Sequence, residues 1–269
     1  MIRREISGWL FWLLMIGALL ISGLIYGYLS HRETLKNPRQ SIVPGVSLFA
    51  EGFHRITQPT GTASRSRVAM LWIDLKATYW RLLLGLSVGV IMSIIVGIGM
   101  GSYRWIEAPL SPIITFLSKI PPTAMMPIYG ISLGTDQKLF TGMVGLGVFF
   151  TMAQSIYQAV QKDVSDDAIS KAYTLGATDS EILWEVIWKQ ILPRVIENIR
   201  LQIGPAMIFL IAAETLVGNE GIGCRIRMEA RNLNYNVVYI YLAILGFAGL
   251  ICDWLLLQLR RRLCPWFGE

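Results

Sequence analysis

Residues 79–101 read YWRLLLGLSVGVIMSIIVGIGMG. The stretch is apolar nearly throughout and long enough, as a helix, to cross the ~30 Å hydrocarbon core of a bilayer. Within it Gly85, Gly89, Ser93, Gly97 and Gly101 recur every fourth residue, which on a helix lines five small side chains along one face. Such a face lets a second membrane helix approach to backbone contact. Packing within one chain is the expected use, with packing between subunits as the alternative.

Further spans are expected on either side: Trp9 to about Tyr28, Leu139 to about Val160, Leu201 to Val217, and Tyr235 to about Leu259. The run from Ala108 to about Leu133 is also apolar but is interrupted by Lys119, Pro121, Pro122 and Pro127. Freed backbone groups inside a membrane need partners, so a broken span is tolerated where it is buried in protein or lines a wet cavity. The sum is an all-α polytopic protein of about six transmembrane helices. Composition agrees, with 54% hydrophobic and 16% charged residues in 269, against roughly 45–50% and about 25% in a soluble domain.

The net charge of +6 is spread over loops and ends, which suits membrane flanks better than a nucleic-acid surface. Arg3 and Arg4 precede the first span and Arg260, Arg261 and Arg262 follow the last, so the positive-inside rule places both termini in the cytoplasm. The first span is longer than a signal-peptide core and has no A-x-A-like site after it, and reads as a retained anchor. Residues 1–29 then form the cytoplasmic end and first helix, 30–70 an extracytoplasmic loop, and 71–269 the core. In that loop Val46, Phe49, Ala50 and Phe53 recur at helical spacing, the mark of a surface-lying amphipathic helix. Cys224, Cys252 and Cys264 are too far apart for a zinc or redox motif. Cys264 reads as an inert juxtamembrane thiol, with lipidation as the alternative.

Residues 161–195 form the longest polar connection outside that loop. Ser165, Asp166 and Asp167 can start a helix, Ala168 to Leu175 continue it, and Gly176 stands where a left-handed residue ends one. Thr178-Asp179-Ser180-Glu181 fits a capping box that starts a second helix, given an apolar face by Ile182, Leu183, Val186 and Ile187. The product is a two-helix knuckle around a glycine elbow. Either it docks into a groove of another protein, or it is a plain connector.

Ala172-Tyr-Thr-Leu175-Gly176-Ala177 followed by Ile191-Leu192-Pro193 resembles the EAA loop of ATP-binding-cassette importer permeases. Ile120-Pro121-Pro122 to Pro127, Ala212-Ala213-Glu214 and Gly221-Ile222-Gly223 are similar to segments of the nitrate, sulfonate, taurine and bicarbonate group. The motif's glutamate and first alanine fall on Ser170 and Lys171, and its first proline on Lys189. The resemblance implies the type I importer permease fold, in the bacterial inner membrane, with two ATPase subunits, a second permease copy in a homodimer or heterodimer, and an extracytoplasmic solute-binding protein. It implies that Ala172, Leu175, Gly176, Ala177, Thr178, Glu181 and Pro193 meet the ATPase, with Asp166 or Asp167 replacing the missing glutamate. It also implies that no cofactor binds this chain, ATP and Mg²⁺ residing on the ATPase.

Glu214 is the most informative ionisable residue, because a carboxylate near a span's end needs water or a partner. It reads as an outer gate, as a partner of a basic residue such as Arg225 or Arg227, or as an interfacial group with structural duties only. No arginine inside a span advertises anion binding. Thr123, Met125, Met126 and Tyr129, beside Pro121, Pro122 and Pro127, are candidates to line the pathway, with packing as the alternative for the methionines. The chain has no G-x-x-x-x-G-K-[ST] or HExxH sequence, so no P-loop or zinc-protease site is encoded. The competing reading, an ion-gradient-driven secondary transporter or channel, predicts flux by this chain alone.

Overall fold

The computed structural model describes residues 7–36, 42–57 and 70–266. All regular structure among them is helical: α1 (Gly8–Lys36), α2 (Val46–Thr57), α3 (Met70–Ser102), α4 (Arg104–Leu117), α5 (Met126–Leu133), α6 (Gln137–Asp163), α7 (Asp166–Thr174), α8 (Asp179–Glu181), a π-helical stretch (Ile182–Trp188), α9 (Lys189–Val217), α10 (Ile222–Arg231) and α11 (Tyr235–Leu263). Packing divides the chain into two units, one holding α1, α2 and Ile226–Ala243, the other Trp72–Arg225 with the chain from Ile244 on. Arg3 and Arg4 lie outside the described residues.

In the first unit the apolar 18-residue stretch of α1 buries none of its side chains, the surface expected of a helix solvated by lipid. The Tyr26 hydroxyl donates to the Pro44 carbonyl at 2.8 Å. The helix expected around Val46 to Phe53 is α2, and it packs on its own unit through a different face from the apolar one that the spacing picks out. Gly52 and Ile56 are buried and Phe49 packs edge-on against Tyr239, while Val46, Ala50 and Phe53 are exposed. Gly52 is what admits this packing, since a Cβ there would come within 3.1 Å of Asn236.

Among the described residues five helices are long and apolar enough to cross a membrane: Gly8–Glu33, Met70–Ser102, Gln137–Asp163, Asp179–Val217 and Tyr235–Leu263. The sixth expected crossing is the interrupted one. It consists of α4, a stretch without helix around Lys119 to Met125, and α5, each helix shorter than a full span.

The second unit is organised by α6, which carries Leu139, Met143, Val144, Val148, Met152 and Ile156 into the core. The small-residue face of α3 lies against it within the same chain. A Cβ at Gly85 would meet Val144 at 2.6 Å, at Gly97 Ile156 at 2.8 Å, and at Gly101 Val160 at 2.5 Å. At Gly89 the obstacle is backbone, the Gly145 carbonyl at 2.6 Å, whereas a Cβ on Gly145 itself would lie 3.3 Å from the nearest atom. Ser93 donates to the Gly89 carbonyl at 2.6 Å and reaches the Phe149 carbonyl at 3.1 Å. Gly89→Ala should therefore lower the thermal midpoint and yield of the purified protein far more than Gly145→Ala. Equal losses would mean that close backbone approach is not what holds α3 to α6.

Where α11 belongs to this unit, charges tie it to α9. Asp253 takes both the Nε and Nη2 of Arg200, the latter at 3.0 Å, and Glu197 pairs with Arg200 at 3.3 Å and Arg260 at 2.9 Å. Cys264, just beyond, is 2% exposed and burial pushes its thiol up, which fits an inert residue.

Candidate functional site

The knuckle forms as its local chemistry dictates. Ser165 caps α7 by accepting from the Ala168 amide at 3.3 Å, with Asp166 and Asp167 in the first turn, where carboxylates favour the helix dipole. At the other end the Gly176 amide donates to Tyr173 at 2.9 Å and the Ala177 amide to Ala172 at 3.0 Å. Those two bonds make a Schellman motif, and Gly176 takes the left-handed conformation it requires, φ +84°. Thr178 then opens the next helix: its amide donates to Glu181 Oε2 at 2.8 Å, and the capping box closes. Across the elbow the Tyr173 hydroxyl donates to Asp179 at 2.8 Å, which raises the pKa of the phenol. Leu175 stands at the apex, 88% exposed.

Beyond Glu181 the helix is not the ordinary one the sequence suggested. Residues 182–188 form a π-helical stretch, and the side chains it buries are Ile182 and Ile187, five apart, with Leu183 and Val186 only partly covered. Pro193 supplies a reason. It lacks the N–H that would bond the Lys189 carbonyl and its ring crowds that group, so the hydrogen-bond ladder is loosest just ahead of it. Pro193 itself is buried within α9. Between the knuckle and the α3–α4 corner lies a cavity of ≈250 Å³ lined in part by Arg104, Glu107, Gln161, Asp166 and Asp179.

Helix continues from Asp179 to Val217, and Glu214 sits at the far end, fully buried. The expected basic partner is present within this unit, but it is Arg81 of α3 and not Arg225. Arg81 Nη1 donates to Glu214 Oε1 at 2.8 Å, the Thr78 hydroxyl reaches both carboxylate oxygens at 3.0 and 2.9 Å, and the Gly223 amide donates at 3.0 Å. Arg225 pairs instead with Asp74, Nε to Oδ2 at 2.9 Å, and Asp74 also accepts from the Gly221 amide at 3.2 Å. An arginine is thus buried inside α3 after all. Arg81 is 8% exposed, further engaged by Gln137 and the Glu220 carbonyl, and stacked over Phe140 at 4.3 Å.

The carboxylate is cradled by glycines. A Cβ at Gly221, where φ is +112°, would lie 2.7 Å from Glu214 Oε2, and one at Gly223 would lie 2.8 Å from Glu214 Cβ. Asp74, Thr78 and Arg81 stitch the 218–225 segment and the end of α9 to one face of α3. The sequence reading missed these three, although they recur at i, i+4 and i+7 and continue the line of Gly85 and Gly89 on the same face.

In the broken segment the candidates divide. Met126 and Tyr129 are core, 7% and 6% exposed, with Met125 packed beside them. Pro122 is half-buried against Gly147, where a Cβ would come within 3.0 Å of its ring. Pro121, Thr123 and Pro127 are exposed, and Thr123 and Pro127 line a ≈390 Å³ cavity with Leu216 and Val217. Glu214 is not among the residues lining it.

Residues 89–264 match the family described as binding-protein-dependent transport system inner membrane component. The chain belongs to that family. This permease is 32% identical over 201 residues to the taurine transport system permease protein TauC of Escherichia coli K12, covering 75% of this chain and 73% of the relative. It is 27% identical to the putative aliphatic sulfonates transport permease protein SsuC of the same organism, covering 68% and 69%. Its fold is similar to a chain of the MetNI methionine ABC transporter in inward-facing conformations, with TM-score 0.61 at 16% identity, covering 72% of this chain and 97% of that one. The permease is therefore a non-catalytic, membrane-embedded transport component of the inner membrane.

Proposed function

We propose that this permease forms part of the translocation pathway of an ATP-driven importer for a small polar or anionic solute of the taurine, sulfonate, nitrate or bicarbonate kind. A solute-binding protein delivers the solute on the side of residues 30–70. Two ATPase subunits, carrying ATP and Mg²⁺, dock on the cytoplasmic side, where both termini also lie, and a second permease copy completes the pathway. The observation that carries the reading is mechanical. A rigidly capped elbow at Gly176 is continuous, through Asp179–Val217, with the buried cluster at Glu214, so a push on one end reaches the other.

In this arrangement Leu175 and Ala172 meet the ATPase groove and Asp166 and Asp167 supply negative charge in place of the missing glutamate. Glu181 is held by Thr178 and keeps the cap. The 218–225 segment, gripped by Arg81 and Asp74, closes the outer end, and Pro121, Thr123 and Pro127 border the pathway. Reconstitution tests this. Liposomes holding the permease, its ATPase and its binding protein should take up labelled taurine, an alkanesulfonate or nitrate only with ATP. Uptake by the permease alone, driven by an ion gradient, would establish the competing reading.

A further inference from the structure

We propose that Lys119, with Thr115 and Gln154, forms a contact site for the anionic head group of the solute in the middle of the pathway; the assignment rests on the importer reading. Thr115 donates to Gln154 Oε1 at 3.2 Å, and Pro122 packs on Gly147. Lys119 lies between Thr115 and Pro122 in sequence, so it stands at the level of residues 147–154, the middle of α6. At that depth Gln202 Nε2 also donates to Thr151 Oγ1 at 3.0 Å.

Thr115 and Lys119 are exposed and Gln154 half-buried, and polar groups at mid-membrane face protein or water, not hydrocarbon. Lys119 carries the one charge in residues 108–133, 139–160 and 201–213. Among the described residues no group pairs with its ammonium or with the Gln154 amide nitrogen. Two donors, one of them cationic, beside a broken helix suit a sulfonate, carboxylate or nitrate oxygen. The cation that is buried among the described residues, Arg81, is already neutralised by Glu214.

The test uses the assembled permease–ATPase complex with Cys224, Cys252 and Cys264 replaced by alanine and Thr115→Cys introduced, or Gln154→Cys should the first not assemble. The thiol is labelled with a sulfonate-bearing and a trimethylammonium-bearing methanethiosulfonate. Adding Lys119→Gln should lower the anionic-to-cationic rate ratio roughly tenfold. Taurine, ethanesulfonate or nitrate should slow labelling when Lys119 is present. A ratio that Lys119→Gln leaves unchanged, a thiol that neither charged reagent reaches, or protection by none of the three anions would overturn the site. Labelling needs no ATP, so it is decided separately from the uptake experiment that tests the importer reading.

Discussion

Arg81→Met should destabilise the permease by about 3–5 kcal/mol, the cost of stranding a buried charge when its partner is removed. Glu214 has no access to solvent, and its remaining donors, Thr78 and Gly223, are neutral. Methionine fills much of the arginine's volume, so loss of packing contributes little. The expected signature is a large fall in thermal midpoint and in monodisperse yield. The double variant Arg81→Met/Glu214→Gln removes both charges while keeping an acceptor for Thr78 and Gly223, and should recover most of the loss. A single variant as stable as the parent would mean that Arg81 is not what holds the Glu214 carboxylate in place.

The second large effect is expected at the elbow and concerns coupling. Gly176 has open space around it, with nothing within 4 Å of a Cβ, but its φ is +84°. Gly176→Val places a β-branched side chain in the left-handed region and bulk beside Leu175 on the proposed docking tip. Gly176→Asn adds a side chain that tolerates that backbone. Both should insert and purify. The valine variant should lose ATP-dependent uptake by roughly tenfold or more, since a misplacement of about 1 Å in a working assembly can cost on the order of 10²-fold, while the asparagine variant retains most of it. Uptake per ATP hydrolysed in proteoliposomes is the measurement, and an unchanged ratio in the valine variant would remove Gly176 from the coupling path.

The parts of this fold that were legible in sequence are those fixed by short-range chemistry. A Ser-Asp-Asp start, a glycine stop and a Thr-x-x-Glu box are each decided within a few residues by where backbone amides and carbonyls find partners. Their geometry follows directly. The small-residue face of α3 was equally plain, because only close helix approach explains it.

What escaped was set by groups distant in the chain. Glu214 was visible as a buried charge, but Arg81 and Thr78 lie more than 130 positions away, and nearby Arg225 looked the natural partner. Extending the face of Gly85 and Gly89 backwards through Arg81, Thr78 and Asp74 would have revealed them. The contact of α2 with Asn236 escaped for a similar reason: it is made at Gly52, a residue that hydrophobic spacing does not count. The π-helical stretch hides from any search for a 3.6-residue period, since Ile182 and Ile187 are five apart.

That stretch has a consequence for how sequence length controls the knuckle. A π-helical turn holds one residue more than an α-turn covering the same rise, and one residue of an α-helix corresponds to about 100° of rotation. Residues 182–188 therefore act as a phase adjuster between Thr178 and Pro193. Regularised into α-helix with no residue removed, they would leave the capped elbow intact yet turn Leu175 by about 100° about the helix axis, whereas removing one residue as well would restore its direction.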